Sequence, residues 1–218
     1  MIARPDRKVR EIAGSAMALY LLLSLFGCKR EATAEKISWT EEARLSDGST
    51  VVVARSVTLS SAVSREIGQG PREVEYTLAI LLPSGSTSLT WTNPGKLVPL
   101  VLGFDQNITY LATMPHLMND YDAYGCPTPG YVFFKYYRNE WQRIEYSEFP
   151  KQLQQGNLLF YLKSNLDVIR AGTISANQLS KLNQSGGAKP PTINPNLGSP
   201  DNCGKSQIID ETKGVSIN

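Results

Sequence analysis

Hydrophobic and polar positions alternate most cleanly between Glu73 and Leu82. Val74, Tyr76, Leu78, Ile80 and Leu82 share one parity, and Glu73, Glu75 and Thr77 take the other. Successive side chains of a strand point to opposite faces, so this run predicts a strand with one apolar face. Pro83-Ser-Gly-Ser86 supplies a turn, and Leu89 with Trp91 continues the pattern on a return strand. The same unit recurs three times. Ala43 to Leu59 breaks at Ser46-Asp47-Gly48, Leu97 to Thr113 at Asp105-Gln-Asn107, and Tyr131 to Tyr146 at Arg138-Asn-Glu140. Residues 60–72 and 114–130 read as longer connections carrying Gly or Pro.

Beyond Tyr146 the period changes. Ser147 to Gln155 suits a short helix or turn, with Ser147 as cap and Pro150 in the first turn. Leu158 to Leu162 is an apolar run that reads as a buried strand or a helix fragment. Ser175 predicts the cap of a helix over Ala176 to Asn183, with Leu179 and Leu182 on one side. From Gln184 onward Gly and Pro dominate and few apolar residues are left to bury, so 184–218 is expected to be a mobile tail, except where Cys203 ties it down.

The expected fold is therefore mainly β, a meander of antiparallel hairpins over residues 39–183 with short helical segments near the C-terminus. A sandwich or barrel-like domain ranks first. An open sheet and a few propeller blades stay open, although no repeat aligns at residue level.

The start of the chain follows a different logic. Arg4, Arg7, Lys8 and Arg10 precede an apolar run of about sixteen residues, Ile12 to Gly27, that closes on Leu25-Phe26-Gly27-Cys28. A helix crossing a bilayer needs roughly 20 such residues, which favours a cleaved export signal over a permanent span. Leu25, Gly27 and Cys28 resemble the lipobox of bacterial lipoproteins, and the resemblance covers residues 1–28 only. It implies that residues 1–27 are removed, that Cys28 is lipidated and becomes the first mature residue, and that the chain is held at a membrane by that lipid. Lys29 in place of Asp after the cysteine implies an outer-membrane anchor facing the periplasm. Residues 28–38 are then expected to be a short solvated tether.

Removal of 1–27 also changes the charge. The whole chain carries 22 basic and 20 acidic residues, and the segment takes four and two of them, leaving 18 of each. A neutral mature chain lacks the basic face a nucleic-acid binder needs, so nucleic acid is not expected as a partner. Lipidation of Cys28 leaves Cys126 and Cys203. In an oxidising compartment these two are expected to form a disulfide, the alternative being two independent thiols.

Candidate chemistry is sparse. His116, Asp120, Asp122 and Cys126 share one loop, but His116 is the sole histidine, and the cluster reads as turn-forming rather than metal-binding. A Cys126–His116 dyad would compete with the disulfide. Glu41-Glu42 and the pair Glu145 and Glu148 would serve glycoside chemistry only across a cleft, and read as exposed acids on strand faces. Gly68-Gln-Gly70-Pro71 lacks the flanking elements and lysine of a phosphate loop. No catalytic residue, metal or cofactor is expected.

The aromatic density of the last hairpin is the remaining signal. Tyr131, Phe133, Phe134, Tyr136, Tyr137, Trp141 and Tyr146 crowd it, with Lys135, Arg138 and Arg143 between them. Aromatics of both parities mean either a strand covered on both faces or a strand with one binding face. Tyr137, Arg138, Trp141 and Arg143 form the candidate interaction surface. Two function classes follow. The first is a non-enzymatic envelope lipoprotein that binds an envelope protein. The second is a small hydrolase or ligand-binding module for an envelope glycan or peptide.

Overall fold

Two sheets account for the strands of this computed structural model, which describes residues 34–60, 72–81, 88–160, 162–184, 191–201 and 203–204 of the chain. The strands are β1 (Glu35–Arg44), β2 (Thr50–Ser60), β3 (Arg72–Leu81), β4 (Ser88–Asn93), β5 (Leu97–Asp105), β6 (Ile108–Pro115), β7 (Val132–Tyr137), β8 (Glu140–Ile144) and β9 (Thr173–Ile174). Short helices α1 (Met118–Ala123), α2 (Leu166–Arg170) and α3 (Ala176–Leu182) complete it. The first sheet runs β4-β3-β2-β1-β9 and the second β5-β6-β7-β8. All pairings are antiparallel except β1 with β9. Neither sheet closes into a barrel. The four hairpins expected from the sequence are the four hairpins of the fold. The segment expected to be an export signal, Cys28, the expected turn at Pro83–Ser86 and the Gly68–Pro71 stretch lie outside the described residues.

Turn chemistry fixes the registers. Between β5 and β6, Gln106 and Asn107 both have positive φ (46° and 64°), and between β7 and β8 so do Arg138 and Asn139 (52° and 65°). Two consecutive left-handed residues make the two-residue hairpin turn whose twist matches that of the strands. The β1–β2 turn uses another device. The Asp47 carboxylate accepts the Ser49 N–H at 2.9 Å and its hydroxyl at 2.6 Å, and Gly48 takes φ +86°.

The sheets pack face to face. Ile37, Trp39, Val53, Val57, Tyr76, Leu78, Ile80 and Trp91 of the first meet Leu97, Leu102, Leu111 and Val132 of the second, with Ile169, Ile174 and Leu179 from the helical segment closing one flank. The second sheet is covered on its other face too. Leu100, Tyr110, Ala112, Phe133 and Ile144 pack there against Phe149, Leu153 and Ile193. This is why the aromatics around β7 have both parities: Val132 and Phe134 face the first sheet, Tyr131 and Phe133 the outer cover.

Several expectations need amending. Ile193 is buried, and residue 192 bridges to residue 155, so residues 191–197 belong to the cover layer and not to a uniformly mobile tail from 184. One large apolar side chain inserted between sheet and loop is enough to seat a Pro-rich segment. Residues 35–38 of the segment expected to be a tether are the start of β1, and Ile37 is buried. In place of a helix over Ser147 to Gln155 there is one 3-10 turn, Tyr146–Glu148, with Glu145 at the cap position, so Ser147 lies inside it and Pro150 beyond it. Leu158, Leu159 and Leu162 are buried as expected, but in neither strand nor helix; the amide of Leu158 donates to Leu100 and that of Phe160 to the Asn183 side chain. The α3 cap is as expected, with the Ser175 hydroxyl and Gln178 forming a reciprocal box.

Parity also breaks at the start of β3. The register shifts between Thr58 and Leu59, so that Thr58 faces Glu75 and Leu59 faces Glu73. Val74 is the extra residue of a bulge and turns outward, while Glu73 turns in.

A charged pair sits in the core. Glu41 and Arg55 are on the apolar parity of β1 and β2, and both side chains are fully enclosed, with Arg55 Nη1 2.8 Å from Glu41 Oε1. Glu41 also accepts the Trp39 indole N–H at 2.8 Å and the Leu159 amide at 3.1 Å. Arg55 donates to the Leu159 carbonyl at 2.9 Å and lies 5.0 Å from the Trp39 ring centroid. Nearby, burial and the Glu73 charge push the Tyr76 hydroxyl pKa up, with Arg55 opposing. Glu41 is therefore no exposed acid, and it points away from Glu42, whose carboxylate accepts the Ala176 amide.

Candidate functional site

The four residues of the candidate interaction surface do not form one patch. β7 and β8 pair Tyr136 with Trp141 and Tyr137 with Glu140, so Trp141 shares a face with Tyr136, and Tyr137 points to the other face. Tyr137 is 43% exposed, and the Arg138 guanidinium lies 5.2 Å from its ring centroid. Trp141 is half-buried against the inter-sheet core, edge-on to Tyr136, and its Nε1 donates to the Thr90 carbonyl at 2.8 Å. Arg143 is exposed over the Tyr124 ring and donates to the Tyr124 carbonyl. The pair Tyr137–Arg138 belongs to the hairpin tip, and the pair Trp141–Arg143 ties β8 to its neighbours.

The loop cluster likewise separates. The buried Asp120 carboxylate accepts the Leu117 amide at the start of α1. His116 Nε2 lies 3.6 Å from the buried Glu73 carboxylate. Cys126 and Cys203 form a disulfide with Cα atoms 5.8 Å apart, and Asp122 accepts the Gly204 amide beside it. Asp122 and the two sulfurs lie within 4.8 Å of one another, but sulfurs bonded to each other are not thiolate ligands. Glu145 and Glu148 are adjacent in one turn, where Lys135 holds the Glu148 carboxyl below its usual range.

A cleft of about 320 Å³ opens where the β1–β2 turn, β5, residues 152–157 and α3 meet. Asn157 spans its floor, donating to the carbonyls of Arg44 and Leu102 and accepting the Leu102 amide, so that one side chain serves the exposed edge of β5. Arg44, Ser46, Gln152, Gln155 and Ser180 supply its polar lining.

The outer face of the first sheet is more unusual. Register places Thr173, Thr40, Ala54, Ala79 and Thr90 in one row across five strands, and Ser38, Ser56, Thr77 and Thr92 in the next. None of these nine side chains is charged. Among the described residues, charges on this face stand beyond the two rows, Lys36 and Glu75 at one end, and Glu42 in the adjacent row with Arg44 one row further at the other. Sequence reading missed this face because it weighed each hairpin for its apolar parity. The signal was present in the polar parity, which is Ser, Thr and Ala where solvent-facing strands ordinarily mix in Lys and Glu.

Comparison with protein-family models, curated proteins and solved structures finds no match to this chain. Among the described residues, no helix is long and apolar enough to cross a membrane.

Proposed function

We propose that the chain is a lipid-anchored envelope protein, acylated on Cys28 and facing the periplasm from the outer membrane. Its two-sheet domain is a non-enzymatic module that binds an envelope protein. The Cys126–Cys203 disulfide supports an oxidising compartment. The observation that carries the binding reading is the uncharged field of nine side chains on the first sheet, with charges only at its ends. Interfaces deplete charge at their centre and keep it at the rim. Short side chains let a partner's surface approach the sheet closely.

A photo-reactive residue at Thr77 should cross-link to one envelope protein, and Ala54→Arg should abolish that adduct without changing the unfolding midpoint. Equal adducts from Thr77 and from the flanking Lys36, or none from the centre of the field, would contradict the reading.

The cleft favours a second reading. Its volume is at the small end of ligand pockets, and its lining of amides and hydroxyls with one arginine suits a neutral glycan or a peptide carboxylate. Binding of peptidoglycan fragments that is lost in Gln155→Ala would support it.

A further inference from the structure

Among the described residues, three of the five exposed large hydrophobic side chains, Val74, Leu117 and Met118, lie at one end of the domain. Contacts between their neighbours link these positions. The backbone of Val74 lies against Gly95, where an added Cβ would come within 2.8 Å of the Val74 Cα. The next residue, Lys96, accepts the His116 amide on its carbonyl, and His116 reaches back to Glu73. Leu117 and Met118 follow directly, at the start of α1. The bulge in β3 is what turns Val74 outward, and Asp120 fixes the backbone of Leu117.

This is also the end where β1 begins. Glu35 pairs with Leu59, and Leu59 with Glu73, so the first residue of β1 is two strand positions from the residue before Val74. That is roughly 10 Å at the usual strand spacing. Only residues 29–34 separate Cys28 from Glu35. The seven steps from Cys28 to Glu35 span at most about 25 Å fully extended. A lipid on Cys28 thus confines this end of the domain, and not the end bearing the β1–β2 turn, to the neighbourhood of the bilayer.

We propose that this end rests on the membrane, with Val74, Leu117 and Met118 in the headgroup region of the bilayer. The inference depends on the lipid-anchor reading above, since the short tether is what selects the bilayer as the occupant. Apolar side chains at an interface gain from leaving water, and the stem of the exposed Lys96 can lie along them with its ammonium among the headgroups. The charges facing this surface are Lys36, Lys96 and Glu75, together with Arg170 paired to Glu35 and His116 beside Glu73. They present no net repulsion to a bilayer. A single lipidated residue then orients the domain as well as retaining it, which leaves the uncharged sheet face lateral to the membrane contact.

The test uses a polarity-sensitive fluorophore on Met118→Cys and, at the opposite end, on Asp47→Cys. One arm is the native lipidated protein on vesicles of phosphatidylethanolamine and phosphatidylglycerol. The other replaces Cys28 by a polyhistidine tag on vesicles containing a nickel-chelating lipid, so that anchoring no longer depends on acylation. The label at 118 should shift to the blue and be quenched by brominated lipid several-fold more than the label at 47, in both arms. Val74→Cys gives a second reporter on a different element, should Met118→Cys disturb α1. Water-like emission at 118 and 74 on vesicles that do retain the protein overturns the docking and leaves the anchor standing. A native form that fails to float with vesicles overturns the anchor, and the docking with it.

Discussion

Trp141 spends its one hydrogen-bond donor on Thr90, joining β8 at the edge of one sheet to β4 at the edge of the other over 2.8 Å. Its ring packs edge-on to Tyr136 and against the core between the sheets. A residue so engaged closes a seam of the sandwich. At the other flank Asn157 plays the corresponding part, linking the Arg44 carbonyl of β1 to Leu102 of β5.

Trp141→Phe keeps most of the packing and removes the bond to Thr90, so it should cost about 1 kcal/mol. Trp141→Ala should cost more, though less than the roughly 3–5 kcal/mol of a fully buried aromatic. Urea midpoints with an unchanged m value check both. A Trp141→Ala variant as stable as the parent would show that the seam contributes nothing.

The buried pair of Glu41 and Arg55 should behave asymmetrically. Arg55→Met leaves Glu41 enclosed without its cation and should cost about 3–5 kcal/mol. Glu41→Gln combined with Arg55→Met removes both charges while retaining an oxygen for Trp39 or Leu159, and should recover more than half of that loss. Two buried Arg55 nitrogens, Nε and Nη2, have no hydrogen-bond partner among the described residues, which adds to the cost of keeping the guanidinium there. A double-mutant cycle by equilibrium unfolding measures the coupling.

Ile193→Ala should cost roughly 2–4 kcal/mol, because the side chain is buried beneath Tyr131, Phe133 and Leu153. A freely mobile segment would show no loss. The same experiment in reductant tests whether the Cys126–Cys203 bridge, which closes 77 residues and is worth up to about 4 kcal/mol in the chain-entropy model, holds that segment in place.

What was legible in the sequence was local. The β3–β4 hairpin announced itself by alternation, and the two-residue turns at Gln106-Asn107 and Arg138-Asn139 by clusters of turn-forming residues. Non-local order was not legible. β9 is two residues long and pairs with a strand 133 positions earlier, so no period marks it. Ile193 is one apolar residue in a Pro-rich stretch, and nothing in its neighbours says what it will cover. Glu41 and Arg55 sat in plain view on the apolar parity of Ile37, Trp39, Val53 and Val57, but their pairing needed the β1–β2 register. The candidate surface at Tyr137, Arg138, Trp141 and Arg143 was read from composition, and composition cannot assign side chains to opposite faces of a strand. The bulge at Val74 depends on a register shift between two strands, which alternation within one of them conceals.

The central claim, that this domain works from a lipid anchor, turns on Cys28. Mass spectrometry of the protein purified from envelopes of its expressing cells reads the residue directly. The account predicts an N-terminal peptide that begins at Cys28 and carries a diacylglyceryl thioether and an acylated amine, with labelling by a palmitate analogue lost in Cys28→Ala. A mature protein that retains residues 1–27, or one with an unmodified Cys28 thiol, would contradict it.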